Sequence, residues 1–219
     1  MITLTQITQT ASKLRSHGAN LIRRTRIRYA GHGIPEAEVR RHLEALYASP
    51  DPWRMDSEQE RFRFARTNDI LLRELIAPAL RVGSILEIGC GEGHQSVYLK
   101  ELCNQLTGID LVPSAIERAS VRVPHAEWAI GNLREQTWAS DGRKFDIVTA
   151  CEVLPAFADI PRTLQLMSRL GRACIVTCFQ GDVLALERPL RKVPLQGRES
   201  FAFGKVTWHA AWWRNNGNA

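Results

Sequence analysis

The 219-residue sequence predicts an α/β fold, a Rossmann-like doubly wound parallel sheet that ends in an antiparallel hairpin and carries an N-terminal helical cap. Three observations predict it. Strand and helix patterns alternate from residue 83 onward, a glycine-rich turn joins the first strand to the following helix, and the last two strands have no helix between them. Such alternation is typical of parallel strands joined by right-handed helical crossovers.

Composition and pattern divide the chain into three segments. We expect a basic N-terminal arm at 1–34, a helical cap with a lead-in helix at 35–80, and a ligand-binding core at 81–219. The net charge of +6 is supplied entirely by residues 1–41, which hold eight Lys or Arg and two acidic residues. The arm therefore predicts contact with an anionic surface or partner, such as a membrane, an acidic protein or RNA, unless it is a solvated leader.

The cap contains two predicted helices. Residues 35–48 place Val39 on an apolar side, and a second helix begins at Ser57, which forms a capping box with Glu60. Its apolar stripe is closed by Pro78. In the core we predict strands near 84–88, 105–110, 126–130, 145–150 and 173–179. Helices are predicted near 93–103, 113–122 and 159–170.

The C-terminal tail, SFAFGKVTWHAAWW, predicts a hairpin that turns at Gly204. On an extended strand Trp208 and Trp212 share one face and Trp213 lies on the other with His209. We expect one of these faces to belong to the core and the other to contact substrate or a second subunit.

The remaining bulk features favour a cytoplasmic protein. The sequence lacks an apolar run of about 18 residues and lacks the compact apolar block of a signal peptide. The five cysteines are scattered without a CxxC pair, which favours reduced, buried thiols over a disulfide framework. The histidines form no ligand pattern with them, so we predict no metal site.

The stretch SILEIGCGEG predicts the ligand site. Gly89, Gly91 and Gly93 alternate after a buried strand, where glycine permits a sharp turn and close approach of a ligand to the backbone. This spacing differs from the GxGxxG of dinucleotide sites, and Glu87 precedes it. The pattern favours a ligand whose charged part is an ammonium and a carboxylate. Asp110 ends the second strand, where a carboxylate can accept two ribose hydroxyls.

LEIGCGEG, TGIDLVPSAIERA and FDIVTACEVL together resemble class I S-adenosylmethionine-dependent methyltransferases, over roughly residues 60–180. Within that class, the N-terminal DPW and the EVL after the fourth strand are similar to nodulation-type (NodS-like) N-methyltransferases, which act on amino-sugar oligosaccharides. The resemblance implies S-adenosylmethionine as cofactor and S-adenosylhomocysteine as its product. It implies cofactor contacts by Glu87, Gly89, Cys90, Gly91, Gly93, Asp110, Leu111, Asn132, Leu133 and Cys151.

Individual roles follow from the same resemblance. Glu87 faces the methionine ammonium, Asp110 holds the ribose hydroxyls and Leu111 flanks the adenine. Where the family has an acid after the third strand, this chain has Asn132, whose carbonyl oxygen can accept from the adenine amine. Cys151 lies where the chain passes the methionine end.

Catalytic candidates are few. Glu152 follows the fourth strand and is placed to orient an amine or take its proton, although an acid at a helix N-terminus is an equally good interpretation. His209 is a possible proton acceptor or a structural residue of the strand. Trp53 of the DPW segment serves either as a lid over cofactor or sugar, or as an apolar contact between cap and core.

Three functions remain open at this point. The leading hypothesis is methyl transfer to an amine or hydroxyl of a small molecule, with an amino sugar, glycan or natural-product intermediate favoured. The second is an RNA or protein methyltransferase recruited by the basic arm, and the third is a non-catalytic partner subunit that binds the cofactor. The sequence is compatible with a monomer or a homodimer.

Overall fold

A computed structural model describes residues 35–79, 81–138, 142–157 and 159–215. The predicted basic arm lies outside the described residues. The helices are α1 (Glu36–Leu46), α2 (Glu58–Ile70), α3 (His94–Lys100), α4 (Pro113–Arg122), α5 (Ile160–Leu170) and α6 (Val183–Leu190). The strands are β1 (Val82–Ile88), β2 (Cys103–Asp110), β3 (Glu127–Ile130), β4 (Phe145–Cys151), β5 (Gly171–Phe179), β6 (Leu195–Phe203) and β7 (Val206–Arg214).

The described strands form one sheet in the order β3-β2-β1-β4-β5-β7-β6. The pairs among β1 to β5 are parallel, and β7 pairs antiparallel with both β5 and β6. The doubly wound sheet with a terminal antiparallel hairpin is therefore confirmed. The order reverses between β1 and β4, and the carboxyl ends of parallel strands at such a switch point form a crevice.

The helical cap precedes the sheet as predicted. Ser57 caps α2, and its Oγ accepts a hydrogen bond from the backbone N–H of Glu60 at 3.3 Å. The Glu60 carboxylate does not complete the capping box but accepts from Arg63 Nε at 2.6 Å. Helix α2 continues as a π-helical segment, Leu71–Ile76, which carries the apolar residues that end the predicted stripe.

Two apolar clusters cover the two faces of the sheet, and β7 contributes to both. Trp208 and Trp212 pack in one cluster, whereas Trp213 packs in the other. The predicted alternation of these side chains is confirmed. Both faces of the strand pack in the core, since Trp213 is fully buried and its indole N–H donates to Ser168 Oγ at 2.9 Å, and Trp208 also lines a cavity. The expected contact of one face with substrate or a second subunit stays a prediction.

The segment between β5 and the hairpin, where the sequence predicts no helix, contains α6. This helix packs against α5 and buries Leu186 and Leu190. Within the described residues no helix is long and apolar enough to cross a membrane.

Candidate functional site

A cavity of about 620 Å³ lies between the cap and the carboxyl ends of the central strands. It is lined by the glycine turn after β1, by the ends of β2 and β4, and by side chains of α1 and α2. Eleven residues predicted from the sequence line it together: Trp53, Glu87, Gly89, Cys90, Gly91, Asp110, Leu111, Asn132, Leu133, Cys151 and Glu152.

Two predicted site residues do not line this cavity. Gly93 is the N-cap of α3 with a φ of 78°, and a Cβ there would lie 3.2 Å from Ala119 Cα. Its role in this fold is helix packing. His209 lies on β7, with Nδ1 2.8 Å from Ser200 Oγ. The structure therefore places His209 away from the candidate site, because the strand directs it to the hairpin partner.

The glycine turn is shaped by contacts within the protein. The backbone N–H groups of Gly89 and Cys90 both donate to the carbonyl of Ile109, at 2.8 and 3.1 Å, which ties the turn to β2. A Cβ on Gly89 would lie 2.4 Å from Val153 Cγ2. A Cβ on Gly91 would lie 2.8 Å from the Tyr47 hydroxyl. Close approach of protein side chains, as well as of a ligand, thus requires glycine at these positions.

Asp110 is oriented by backbone donors at the end of β2. Its Oδ2 accepts from Gly91 N at 2.9 Å and its Oδ1 accepts from Val112 N at 3.0 Å. Burial raises the pKa of Asp110, and the backbone hydrogen bonds partly offset that rise. A carboxylate offers about four acceptor positions. The backbone donors therefore do not exhaust the acceptor capacity of Asp110, which leaves room for a ligand hydroxyl.

Glu87 lies at the end of β1 and is almost fully buried. Burial raises its pKa to about 7, although a hydrogen bond from Ser96 Oγ and the positive charge of Arg63 act in the opposite direction. A buried carboxylate of this kind gains most from a cationic ligand. It thus fits a ligand ammonium.

Two polar residues of the site were missed by the sequence analysis. Arg63 of α2 is buried in the cavity wall, and its Nη1 donates to Gln95 Oε1 at 3.1 Å. The Gln95 amide nitrogen is buried and has no hydrogen-bond partner among the described residues. A guanidinium next to an unpaired buried donor suits a ligand carboxylate. Gln95 lies two residues after the glycine motif, whereas no sequence pattern marks Arg63.

Cys151 and Glu152 follow one another at the end of β4. Burial raises the pKa of the Cys151 thiol to about 12, so it remains a neutral thiol near pH 7. Glu152 has a φ of 61°, a left-handed conformation that a non-glycine residue seldom adopts outside functional sites and tight turns. Its N–H donates to the carbonyl of Thr177 at 3.0 Å, and Thr177 Oγ1 donates to its Oε1 at 3.4 Å.

The cap covers this cavity through two aromatic side chains. Trp53 Nε1 donates to the Tyr47 hydroxyl at 3.1 Å, and both rings line the cavity. Trp53 also packs against the cluster formed by Tyr47, Val112 and Ala115. Trp53 thus makes the contact between cap and core, and its role as a lid over cofactor or sugar stays a prediction.

A buried carboxylate attaches the cap to the core. Glu92 accepts from the backbone N–H of Asp51 at 2.9 and 3.1 Å and from Arg118 Nη1 at 2.7 Å. The Arg118 guanidinium also donates to the carbonyl of Tyr47 at 2.9 Å. These bonds fix the start of the DPW segment over the glycine turn.

Three potential metal ligands, Asp51, Asp56 and His94, lie within 4.8 Å of one another. Arg122 Nη2 lies 3.0 Å from His94 Nε2, so a guanidinium already occupies one side of this group. The Asp51 carboxylate accepts from the backbone N–H of Met55 at 2.6 Å. These groups therefore have partners within the protein, and the cluster joins the cap segment 51–56 to the start of α3.

Asn132 lies at the far end of the cavity, after β3. Its Oδ1 accepts from the backbone N–H groups of Arg134 and Glu135 at 2.8 and 3.1 Å. Its Nδ2 donates to Glu36 Oε1 at 2.7 Å. The predicted carbonyl acceptor for an adenine amine is therefore already engaged by the chain's own backbone.

A methyltransferase domain model matches residues 59–194, which is more than half of the chain. The chain belongs to this methyltransferase family. Nodulation protein S of Bradyrhizobium diazoefficiens is 33% identical over 122 residues, 54% of each protein. Ubiquinone biosynthesis O-methyltransferase of Azorhizobium caulinodans is 30% identical over 129 residues, 50% of this chain and 48% of that protein. The chain thus spans about half the length of these curated relatives.

Solved structures agree with this assignment. N-methyltransferase NodS from Bradyrhizobium japonicum WM9, in complex with S-adenosylhomocysteine, has a TM-score of 0.67 at 25% identity and covers 80% of this chain and 97% of that chain. The class I methyltransferase fold and the NodS-like resemblance are therefore confirmed, and S-adenosylmethionine is the cofactor.

The chemistry of the cavity fits that cofactor. Glu87 suits its ammonium, Arg63 with the unpaired amide of Gln95 suits its carboxylate, and Asp110 suits its ribose hydroxyls. Groups suited to the ammonium, the carboxylate and the ribose thus line one cavity, supplied by two strand ends and two helices.

Proposed function

We propose that this methyltransferase transfers a methyl group to an amine of a small molecule, with an amino sugar or a related glycan intermediate as the favoured acceptor class. The observation that carries the proposal is Glu152. It is a carboxylate held in a left-handed conformation at the end of β4, in the wall of the cavity that Glu87 and Asp110 also line.

In this proposal the cofactor lies across the ends of β4, β1, β2 and β3. Its sulfonium supplies a methyl group that is already activated towards nucleophiles. Glu87 binds the ammonium, Arg63 and Gln95 bind the carboxylate, and Asp110 binds the ribose, so the cofactor has one orientation. The adenine then lies between Leu111 and Leu133.

The chemistry of the acceptor end favours an amine. Glu152 and Asp182 both line the cavity, and both carboxylates lie near Cys178, whose pKa is raised to about 12 by burial first and by these two charges next. These two carboxylates attract a protonated amine to the cavity, and the buried Arg63 guanidinium, which interacts with Glu152, offsets part of their charge. Glu152 then accepts an N–H hydrogen bond that directs the amine, and it takes the proton that the nitrogen must lose.

Apolar rings around these acids favour a ring-shaped acceptor. Phe157, Phe179, Trp53 and Trp208 line the same cavity. Aromatic faces can pack against the C–H face of a sugar while its hydroxyl groups remain hydrated. The name of the NodS structure, an N-methyltransferase, supports nitrogen as the acceptor atom. The similarity to an O-methyltransferase keeps a hydroxyl acceptor as the alternative outcome.

The test is transfer of labelled methyl from S-adenosylmethionine into a fractionated extract of the source cell. Protein, nucleic acid, glycan and small-molecule fractions are counted separately. We expect label on nitrogen in the small-molecule or glycan fraction. Glu152→Gln should lower this transfer while cofactor affinity is retained, and Glu187→Gln, on an exposed face of α6, should not.

Other distributions of label would overturn the proposal. Label confined to nucleic acid or protein would favour an RNA or protein methyltransferase recruited by the basic arm, which stays a prediction from the sequence. Label on an oxygen atom would contradict the proposal that the acceptor group is an amine. Absence of transfer with full cofactor affinity would favour a partner subunit that binds the cofactor without turnover.

A further inference from the structure

The side chain of Asn132 is held in one orientation by three hydrogen bonds. Its carbonyl oxygen accepts from two backbone N–H groups, those of Arg134 and Glu135, and its amide nitrogen faces the carboxylate of Glu36. Exchange of the amide oxygen and nitrogen would place a donor against two donors and an acceptor against a carboxylate. The network therefore permits only the orientation observed.

This orientation leaves Asn132 without acceptor capacity for a ligand. An amide carbonyl has two lone pairs. Here the oxygen accepts from the Arg134 N–H at 2.8 Å, and it shares the Glu135 N–H, at 3.1 Å, with the main-chain carbonyl of Asn132, so both acceptor positions face backbone donors. The side-chain atom directed to α1 is a donor. An exocyclic amine of a base, which is itself a donor, needs a different acceptor at this end of the cavity.

The position of the base follows from the rest of the site and rests on the proposed function. Asp110, on β2, holds the ribose, and Glu87, on β1, holds the ammonium. The base must then extend past Asp110 to the opposite side, towards β3, which is the edge strand of the parallel part of the sheet. There the cavity is covered by α1, which contributes Val39 and Leu43 as apolar wall residues.

Glu36 is the acid on this part of the wall. It lies in the first turn of α1, lines the cavity, and accepts from Asn132 Nδ2 through Oε1 and from Arg134 Nη2 through Oε2 at 3.2 Å. Each carboxylate oxygen can accept a second hydrogen bond. Glu36 therefore has acceptor capacity next to the expected position of the adenine amine.

We propose that Glu36 determines specificity for the adenine amine, with Asn132 and Arg134 as the residues that position its carboxylate. The acid for the base is then supplied by the cap helix rather than by the loop after β3. Because α1 carries the acid, binding of the adenine also fixes the cap over the cavity.

The test compares two ligands with the full chain in a calorimetric titration. One is S-adenosylhomocysteine, and the other is S-inosylhomocysteine, in which a carbonyl oxygen replaces the adenine amine. The wild-type protein should bind the adenine compound at least about tenfold more tightly, since the carbonyl would face a carboxylate instead of donating to it. Glu36→Ala should abolish most of that preference.

Two further variants separate recognition from folding. Glu38→Ala removes an acid two residues along α1 that does not line the cavity, and it should keep the wild-type preference. Glu36→Ala combined with Asn132→Asp places an acceptor oxygen where the amide nitrogen was. This double variant should recover the preference for adenine.

The outcomes distinguish this proposal from the function proposed above. A wild-type preference that persists in Glu36→Ala would overturn the role of Glu36 and leave methyl transfer intact. If Glu36→Ala loses the preference for the adenine compound and the double variant does not regain it, the proposed role of Glu36 is also contradicted. Failure of the wild-type protein to bind either ligand would contradict both the cofactor assignment and this inference. If the acceptor proves not to be an amine, the proposed function fails, but the affinities for the two ligands still test the role of Glu36.

Discussion

At the residue scale, Glu87 and Asp110 show how neighbouring strand ends give two carboxylates different properties. Asp110 accepts two backbone hydrogen bonds, which favour its charged form. Glu87 is more deeply buried, and this burial raises its pKa to about 7 even though the Ser96 hydroxyl donates a hydrogen bond to it, which acts in the opposite direction. The Asp110 carboxylate therefore suits neutral hydroxyls. The Glu87 carboxylate suits a cation, because a bound positive charge offsets the cost of ionising Glu87.

The raised pKa of Glu87 predicts a pH dependence of cofactor binding. In the unfolded chain the pKa is near 4.5, so from there to about pH 7 the folded protein keeps a proton that the unfolded chain has lost. The free energy of unfolding without ligand should therefore fall over this range as pH rises. A bound ammonium favours the ionised form, so affinity should rise over the same range, by up to about tenfold per pH unit.

Titration of S-adenosylmethionine between about pH 5 and 7 measures this effect. Glu87→Gln removes the titrating group and should flatten the curve. A slope of unchanged size in that variant would show that another group controls binding.

Gly93 belongs to the GxGxG motif but does not line the cavity, so we expect a substitution there to affect stability. Its φ of 78° lies in the left-handed region, where a side chain is strained. A Cβ on this residue would also lie only 3.2 Å from Ala119 Cα, which is a crowded contact. Gly93→Ala should lower the free energy of unfolding by at least about 1–2 kcal/mol. Gly142 has the same φ, but no atom of the described residues lies within 4 Å of a Cβ placed there. Urea denaturation of Gly93→Ala and Gly142→Ala therefore isolates the contribution of packing. Equal losses of unfolding free energy in the two variants would show that packing against Ala119 contributes nothing.

At the element scale, the cap depends on a buried acid at the base of α3 rather than on its own apolar contacts alone. Glu92 joins the backbone of Asp51 to Arg118 of α4, and Arg118 also reaches the carbonyl of Tyr47. The cap and the core are thus linked by charge at the point where Trp53 and Tyr47 cover the glycine turn.

Removal of the Arg118 guanidinium should release the cap. Arg118→Ala leaves the Glu92 carboxylate buried without its cation, which should cost about 3 kcal/mol of stability. Amide hydrogen exchange in residues 47–56 should become faster, because the Asp51 N–H is held by the same carboxylate. Arg191→Ala removes an exposed partner of Glu187 and serves as the control. Unchanged exchange in Arg118→Ala would contradict an electrostatic attachment of the cap.

At the scale of the whole molecule, local patterns predicted the order of the strands and helices in the core. Apolar strands bounded by glycine or acidic residues, such as those ending at Ile88 and Asp110, lie within two residues of the predicted bounds. The capping residue Ser57 was identified for the same reason. These features depend on residues close together in the chain.

Features that depend on tertiary contact were not predictable in this way. Arg63 enters the cavity only because α2 packs next to the glycine turn, where its guanidinium meets Gln95. Burial of both faces of β7 depends on its position between β5 and β6 with an apolar cluster on each side. Helix α6 was missed because Pro189 and the neighbouring charges resemble a loop, although Leu186 and Leu190 anchor it.

We expect the cavity at the carboxyl ends of the strands to hold S-adenosylmethionine through Asp110. Calorimetric titration of the cofactor into the wild-type protein, Asp110→Ala and Asp69→Ala tests it most directly, since Asp69 is an exposed acid of α2. We expect one saturable site in the wild type, an affinity at least about tenfold lower in Asp110→Ala, and no change in Asp69→Ala. Equal affinity in the wild type and Asp110→Ala would contradict the account.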